Sequence, residues 1–264
     1  MKKEQLTLKS TNERIDSLES KLDLIIKKLN TSESTNEVKA NKQYCIIDIE
    51  EGKILGIIGT SGCGKSTLFN IITKLEKPTS GYIKENKKLK IGYMMQTDAL
   101  LPWLTVYENA ILGLKLKKIL TKENIEYVNS LLKKYGLFEF SNEYPKNLSG
   151  GMRQRVALIR TLAIKPNILL LDEPFSKLDI DSRIKISDDV YKIIKELKIT
   201  AVIISHDIME GITLCDSLVV LTPRPGKIKK IVKLEKEDKL PSELRKESYI
   251  SKLYEDIWKY MNDE

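Results

Sequence analysis

The sequence predicts an α/β domain built on a parallel sheet, with a helical subdomain on its flank. Three observations carry that prediction. Apolar runs of strand length (KILGIIG, NILLLDEP, TAVIIS) alternate with helical patterns. The run ILLL at 168–171 suits a strand covered on both faces, as parallel sheets are. A long helical stretch then interrupts the alternation between Gln96 and Ser149.

Taken in order, residues 1–30 read as a charged amphipathic helix. Leu8, Ile15, Leu18, Leu22, Ile25 and Leu29 follow alternating spacings of three and four, broken by Thr11. A short coiled coil and a helix docked on its own domain both satisfy that seam. Residues 31–43 are polar, lack periodicity and read as a linker. The main domain is expected over residues 44–230. YCIIDI and a turn at Glu51-Gly52 lead into the buried strand KILGIIG, which runs into a glycine-rich loop and the helix KSTLFNIITKL. Pro78 to Gly81 makes a turn and KLKIGYMMQ a strand. Residues 103–140 read as largely helical with breaks near Gly113 and Gly136, so the helical subdomain is placed at about 100–160. A helix opening at Ser149, the strand NILLLDEP, a further helix, TAVIIS and SLVVLT complete the domain. Residues 231–264 are expected to form a helical extension, in which LRKESYISKLYEDIWKYM packs an apolar stripe back onto the body.

A chain of 264 residues with 41% hydrophobic residues buries a real core, as one large domain or one domain with a subdomain. Lys plus Arg is 45 against 37 for Asp plus Glu, giving a net charge of +8. That balance favours an anionic partner such as nucleic acid or a membrane surface, or else describes a lysine-rich surface, since no long single-sign run occurs. Cys45, Cys63 and Cys215 are too few and too scattered for a disulfide framework or a zinc site, which points to a reducing compartment. The start MKKEQLTLKSTNER lacks a signal-peptide core, and no apolar run approaches spanning length, so a membrane role is expected to be peripheral.

The chemistry concentrates at the ends of the expected strands. GTSGCGKST fits the phosphate-loop template and comprises Gly59, Thr60, Ser61, Gly62, Cys63, Gly64, Lys65, Ser66 and Thr67. Glycines let its backbone N–H groups close on phosphates. Lys65 adds a point charge, Ser66 offers a hydroxyl to Mg2+, and the following helix aims its N-terminus at the anion. ILLLDEP ends a strand with Asp172, placed to hold Mg2+, and Glu173, placed to polarise an attacking water. Gln96 follows a strand with a neutral amide that reaches either Mg2+ or that water. His206, the single histidine, also sits at a strand end, where a structural role and a γ-phosphate contact both remain open. A second anion site is implied by NLSGGMRQRVALIRTLA, in which Ser149, Gly150 and Gly151 open a helix.

Together GTSGCGKST, Gln96, LSGGM, ILLLDEP, Leu178-Asp179 and the SHD of 205–207 resemble, in order and approximate spacing, the nucleotide-binding domains of ABC transporters over residues 45 to 225. The resemblance implies a P-loop NTPase with a parallel core sheet, a small antiparallel β part and a helical subdomain. It implies an ATPase using ATP and Mg2+, with Glu173, His206 and Gln96 in hydrolysis and Ser66, Gln96 and Asp172 near the metal. It also explains the two anion sites. In such proteins two domains meet head to tail on ATP binding, so Ser149, Gly150, Gly151 and Met152 serve the partner's ATP, and Asp179 is a cross-interface contact. Met152 stands where the family usually has Gln, and Lys177 where a small residue is usual. An upstream adenine-stacking aromatic is missing and Tyr44 lies too close in sequence to replace it, so weak nucleotide affinity with reduced base discrimination is expected.

QTDALLPWLTVYENA and LTPRPGKI resemble a narrower branch, the ATPases of nitrate, sulfonate, taurine and thiamine-precursor pyrimidine importers. There the segment after Gln96, here with Asp98, Leu101, Pro102 and Trp103, receives the membrane subunit's coupling helix. The implied partners are membrane permease subunits and an extracytoplasmic substrate-binding protein, at the cytoplasmic face of the membrane. The alternative is a soluble ATPase of the same family acting on nucleic acid or ribosomes. It is disfavoured because translation-type relatives carry two such domains per chain and chromosome-type relatives insert long coiled coils between Gln96 and the signature; no nucleic-acid partner is expected. A small-molecule kinase would need no LSGG helix.

Overall fold

The computed structural model describes residues 46–85, 88–176 and 178–262, all within one compact unit, Cys45–Glu264. The helix expected over 1–30, the linker over 31–43, Tyr44 and Lys177 lie outside the described residues. Among the described residues one sheet contains β1 (Ile54–Ile58), β2 (Ile91–Met94), β3 (Ile168–Asp172), β4 (Thr200–Ser205), β5 (Ser217–Leu221) and β6 (Ile228–Lys233), in the order β2-β3-β4-β1-β5-β6. The first four pairings in that order are parallel, and β5–β6 is antiparallel.

Alternation along each central strand explains why its apolar run is continuous. Leu55 and Ile57, Ile168 and Leu170, Val202 and Ile204, and Val219 and Leu221 enter one core cluster with Phe69 and Ile72 of α1 (Lys65–Ile72). Ile54 and Ile58, Leu169 and Leu171, Ala201 and Ile203, and Leu218 and Val220 enter the other. That second face is covered by α4 (Gly150–Leu162), α5 (Ile180–Leu197), α6 (Ile208–Leu214) and α8 (Ser248–Asn262). Both faces of the sheet are covered, so both register positions are apolar along the strands, and the buried polar residues Asp172, Thr200 and Ser205 stand at strand ends. At Gly56 the second face comes so close that an added Cβ would lie 2.3 Å from Leu218 Cδ2 and 2.8 Å from Cys215 Sγ.

On the flank, α2 (Val106–Leu116) and α3 (Lys122–Lys134) are followed by two 3-10 turns, Phe138–Phe140 and Pro145–Asn147, before α4. Thr105 opens α2 with a reciprocal cap. Its hydroxyl accepts from Glu108 N at 3.2 Å while Thr105 N donates to Glu108 Oε2 at 2.9 Å.

The structure departs from the sequence expectation in two places, Gly113 and the 230/231 boundary. Helix α2 runs through Gly113, and the break comes at Lys118 with φ 56. Gly113 serves packing instead, since a Cβ there would press on Ile164 Cγ2 at 3.0 Å. The break near Gly136 is present, with φ 67. The small antiparallel part is the β5–β6 pair, whereas Ile46–Glu50 forms no strand and rests Ile47 and Ile49 on the core. Finally, β6 continues to Lys233, so the boundary expected at 230/231 falls inside a strand; the helical extension begins with α7 (Pro241–Leu244) and α8. α8 does pack back, burying Ile250 and Ile257.

Candidate functional site

The chemistry-bearing residues leave the sheet at the carboxyl ends of its parallel strands, the edge where open α/β sheets bind ligands. Gly59 follows β1, Gln96 follows β2, Asp172 ends β3 with Glu173 just after it, and His206 follows β4. Four strands thus bring to one edge residues spread over most of the described chain.

The loop from Gly59 to Thr67 turns through two left-handed glycines, Gly62 (φ 78) and Gly64 (φ 105). Gly64 is also the N-cap of α1 and supplies no side-chain cap, so the first N–H groups of that helix remain available to an anion. Lys65 is 6% exposed. Its ammonium donates to Gly59 O at 2.8 Å and Thr60 O at 3.0 Å, so the charge is held at the mouth of the loop. Thr60, Ser61, Ser66 and Thr67 are exposed and Cys63 is buried.

Asp172 is 5% exposed and hydrogen-bonds with Ser66 and Tyr93. Burial pushes its carboxyl above the ordinary carboxylate range and Glu173 adds to this, while the Ser66 bond, Lys65 and the Tyr93 bond oppose it. A cation at Asp172 would relieve that penalty. Ser66 and Asp172 are adjacent hard oxygen donors, the set that Mg2+ takes when phosphates and waters complete its shell. No group of three or more His, Cys, Asp or Glu suited to a metal occurs among the described residues, so a cage made by protein side chains alone is absent there.

Glu173 is the convergence point. Its Oε2 accepts from Gln96 Nε2 at 2.8 Å and lies 3.4 Å from His206 Nδ1. The backbone at Glu173 is left-handed, φ 46, which a non-glycine residue adopts only when its surroundings impose it. Here they do. Glu173 N donates to Ile204 O at 2.9 Å, and Glu173 O accepts from Ser176 N at 3.3 Å and Ser176 Oγ at 3.1 Å. The adjoining Pro174 O accepts from the buried Gln154 at 2.5 Å. The strain aims the Glu173 side chain at the same edge as Gln96 and His206.

Ser149, Gly150, Gly151 and Met152 stand apart from this cluster at the start of α4. Ser149 is exposed and caps the helix by accepting from Met152 N at 3.3 Å. A Cβ on Gly151 would press on Ile186 Cδ1 at 3.1 Å, so this glycine lets α4 approach α5 closely. Asp179 is exposed and caps α5 by accepting from Ser182 N at 2.9 Å, and these bonds hold its carboxyl below the usual range.

The helix start is wired to the segment after Gln96. Asp98 Oδ2 accepts from Arg153 Nε at 3.1 Å, and Arg160 donates to Asp98 O at 2.6 Å and Ala99 O at 2.7 Å. The next turn is set by Asn109, fully buried, whose carbonyl accepts from Leu101 N at 2.8 Å while its amide donates to Leu101 O, Leu104 O and Thr105 O. Pro102 and Trp103 project from that frame, Trp103 being 68% exposed. Sequence reasoning missed Tyr93, Arg153, Arg160, Asn109 and Gln154, none of which belongs to a short motif.

Comparison with known proteins agrees with this geometry. Residues 45–176 match the family model described as ABC transporter. An uncharacterized ABC transporter ATP-binding protein, YtlC of Bacillus subtilis, is 42% identical over 81% of this chain and 86% of its own length. The nitrate import ATP-binding protein NrtD of Synechocystis is 36% identical over 81% and 83%. The aliphatic sulfonates import ATP-binding protein SsuB of Bacillus cereus is 40% identical over 73% and 76%. Among solved structures, the dimeric post-hydrolysis state of the ATP-binding cassette MJ0796 bound to ADP and Pi superposes with a TM-score of 0.62 at 34% identity, covering 72% of this chain and 89% of that one.

Proposed function

The chain belongs to the ABC transporter family, and on that premise we propose that it is the ATP-hydrolysing subunit of an importer of a small solute of the nitrate, sulfonate, taurine or pyrimidine kind. The observation that carries the catalytic assignment is the meeting of Gln96 and His206 on one carboxylate oxygen of Glu173, beside a glycine-rich loop whose helix has no side-chain N-cap.

The backbone from Gly59 to Thr67 and the Lys65 ammonium hold the β and γ phosphates of ATP. Ser66 and Asp172 hold Mg2+, which supplies positive charge against the phosphate oxygens. Glu173 takes a proton from a water whose oxygen attacks the γ phosphorus. The bond to the bridging oxygen breaks, leaving ADP and inorganic phosphate. Gln96 donates to one of the two carboxylate oxygens, Oε2, and so competes with the water at that oxygen. His206 is exposed, and in this reading it contacts the γ-phosphate. Ser149, Gly150 and Gly151 lie away from this phosphate loop and serve the ATP of a second copy, in a head-to-tail dimer with Asp179 at the interface.

The exposed Trp103 with Pro102, Leu101 and Asp98 forms the contact for a permease subunit, and an extracytoplasmic binding protein delivers the solute. No described helix is long and apolar enough to cross a membrane. Docking on permease subunits at the cytoplasmic face is part of the same proposal and rests on the likeness to import ATP-binding proteins. Replacing Glu173 with Gln is the test. The variant is expected to lose about 100-fold or more in turnover, the scale of a removed general base, and to accumulate as an ATP-bound dimer in sizing with ATP and Mg2+. A variant that stays monomeric while the wild type hydrolyses overturns the composite site.

A further inference from the structure

One buried charged residue takes part in neither the phosphate loop nor the hydrolytic cluster. Glu210, in the first turn of α6, is 4% exposed. Its Oε2 accepts from Ser205 Oγ at 2.6 Å, and the same hydroxyl accepts from Asp207 N at 2.9 Å. Asp207 caps α6 by accepting from Met209 N at 2.8 Å and Glu210 N at 3.2 Å. The residues on both sides of His206 are therefore fixed through a single carboxylate and the helix it sits on.

A guanidinium joins this knot to a second segment. Arg183 Nη1 lies 3.4 Å from Asp207 Oδ2, its Nε 3.8 Å from Glu210 Oε1, and its Nη2 donates to Leu178 O at 3.3 Å. Leu178 directly precedes Asp179, the residue assigned to the dimer interface. Arg245, just after α7, adds a second positive charge facing Glu210. A buried ion pair is weak as a source of stability, because apolar side chains of similar volume fill such a site as well. What charged groups supply and apolar ones do not is a fixed direction for the backbone bonded to them.

We propose that Glu210 and Arg183 are positioning residues for His206. They fix the Ser205–Asp207 turn, set the imidazole against Glu173, and tie it to Leu178–Asp179, so that contact at the dimer interface reaches the hydrolytic cluster within the same chain. This rests on the hydrolytic reading of Glu173 and His206 given above.

The chain has one histidine, so the imidazole of the full-length, tag-free protein gives a single Cε1–H resonance that needs no assignment. In the nucleotide-free protein, Glu210→Gln and Arg183→Lys are both expected to move or broaden that resonance. Both are also expected to lower kcat for ATP by up to about 100-fold, the scale of a roughly 1 Å misplacement, with KM for ATP unchanged. In a His206→Ala background neither substitution is expected to lower turnover further. An unmoved resonance in both variants overturns the proposal, and so does an equal loss of turnover in the His206→Ala background. Arg183→Lys keeps the charge and decides the question if Glu210→Gln fails to fold. If the wild type hydrolyses no ATP, the hydrolytic assignment falls, while the resonance still decides whether the pair orients His206.

Discussion

Gly226 offers the sharpest test of how the phosphate loop is held. It lies in the connection from β5 to β6, which is closed by Thr222 N donating to Lys227 O and Lys227 N donating to Thr222 Oγ, both at 2.9 Å. Its φ is not among the positive values, so alanine is excluded by contact and not by backbone conformation. A Cβ built there would sit 2.1 Å from Cys63 O and 3.2 Å from Cys63 C. Real Cβ atoms essentially never approach within 3.0 Å, so one partner has to retreat by about 0.9 Å or more. The obstacle is backbone and cannot rotate aside. Overpacking of this kind costs about 1–3 kcal/mol, or about 2–4 °C in Tm per kcal/mol for a domain of this size. If the loop is what moves, its N–H groups leave the phosphates by close to 1 Å, a misplacement worth up to about 100-fold in kcat/KM. Gly226→Ala is therefore expected to lose both Tm and nucleotide affinity, read by thermal melting and ATP titration. A variant with wild-type melting and ATP binding refutes the close approach. One that melts lower yet binds ATP normally shows that the hairpin yields and does not buttress the loop.

Lys236 gives a pH prediction with a defined sign. Its side chain is half-buried and caps α6 by donating to Ile212 O at 3.2 Å and Thr213 O at 2.6 Å, and that burial pulls its pKa down to about 8 from 10.5. The folded state then holds fewer protons than the unfolded state between those values, so this group's contribution to stability rises as pH climbs from about 8 toward 10.5. Its full amplitude is about 3 kcal/mol at 1.36 kcal/mol per pH unit. Urea unfolding of wild type and Lys236→Met at pH 7.5 and 9.5 is expected to show the variant losing ground as pH rises; a constant difference would refute the buried, proton-releasing amine. Trp103→Ala is expected to leave ATP hydrolysis by the isolated chain unchanged and to weaken co-purification with membrane subunits, because the indole is exposed while its loop is held by Asn109; a loss of basal hydrolysis would place Trp103 in the catalytic frame instead.

What was legible in the sequence divides along physical lines. The central strands were legible because burial on both faces forces unbroken apolar runs, and all four of the runs read as β1, β3, β4 and β5 are strands. β6 was not, because IKKIVK lies at the sheet edge with lysines exposed on it and shows no clean alternation. The role of Gly113 was illegible for a different reason: a helical glycine and a breaking glycine look alike until the neighbour, Ile164, is placed against it. The glycine loop and the Asp-Glu pair announced themselves as local motifs. The contacts among Gln96, Glu173 and His206 span long sequence separations and came only from resemblance, and Arg183 and Glu210 carried no signal beyond a charged residue one turn into each of two helices.

The start of α4 and the segment after Gln96 are bonded to each other within one chain. Gln96 holds Glu173 at 2.8 Å, and two residues later Asp98 is held by Arg153 at 3.1 Å, one turn into the helix that Ser149 caps. Arg160 secures the carbonyls of Asp98 and Ala99 from further along the same helix. A helix held this way carries the Gln96 segment with it when it shifts, since three hydrogen bonds from charged side chains break less easily than the single exposed amide–carboxylate contact at Glu173. On the reading proposed above, contact of the start of α4 with the phosphates of a second copy is expected to strain the bond between Gln96 and Glu173. Loss of that bond would leave Oε2 of the proposed hydrolytic carboxylate without its Gln96 donor, which links the start of α4 to Glu173 through bonds within one chain.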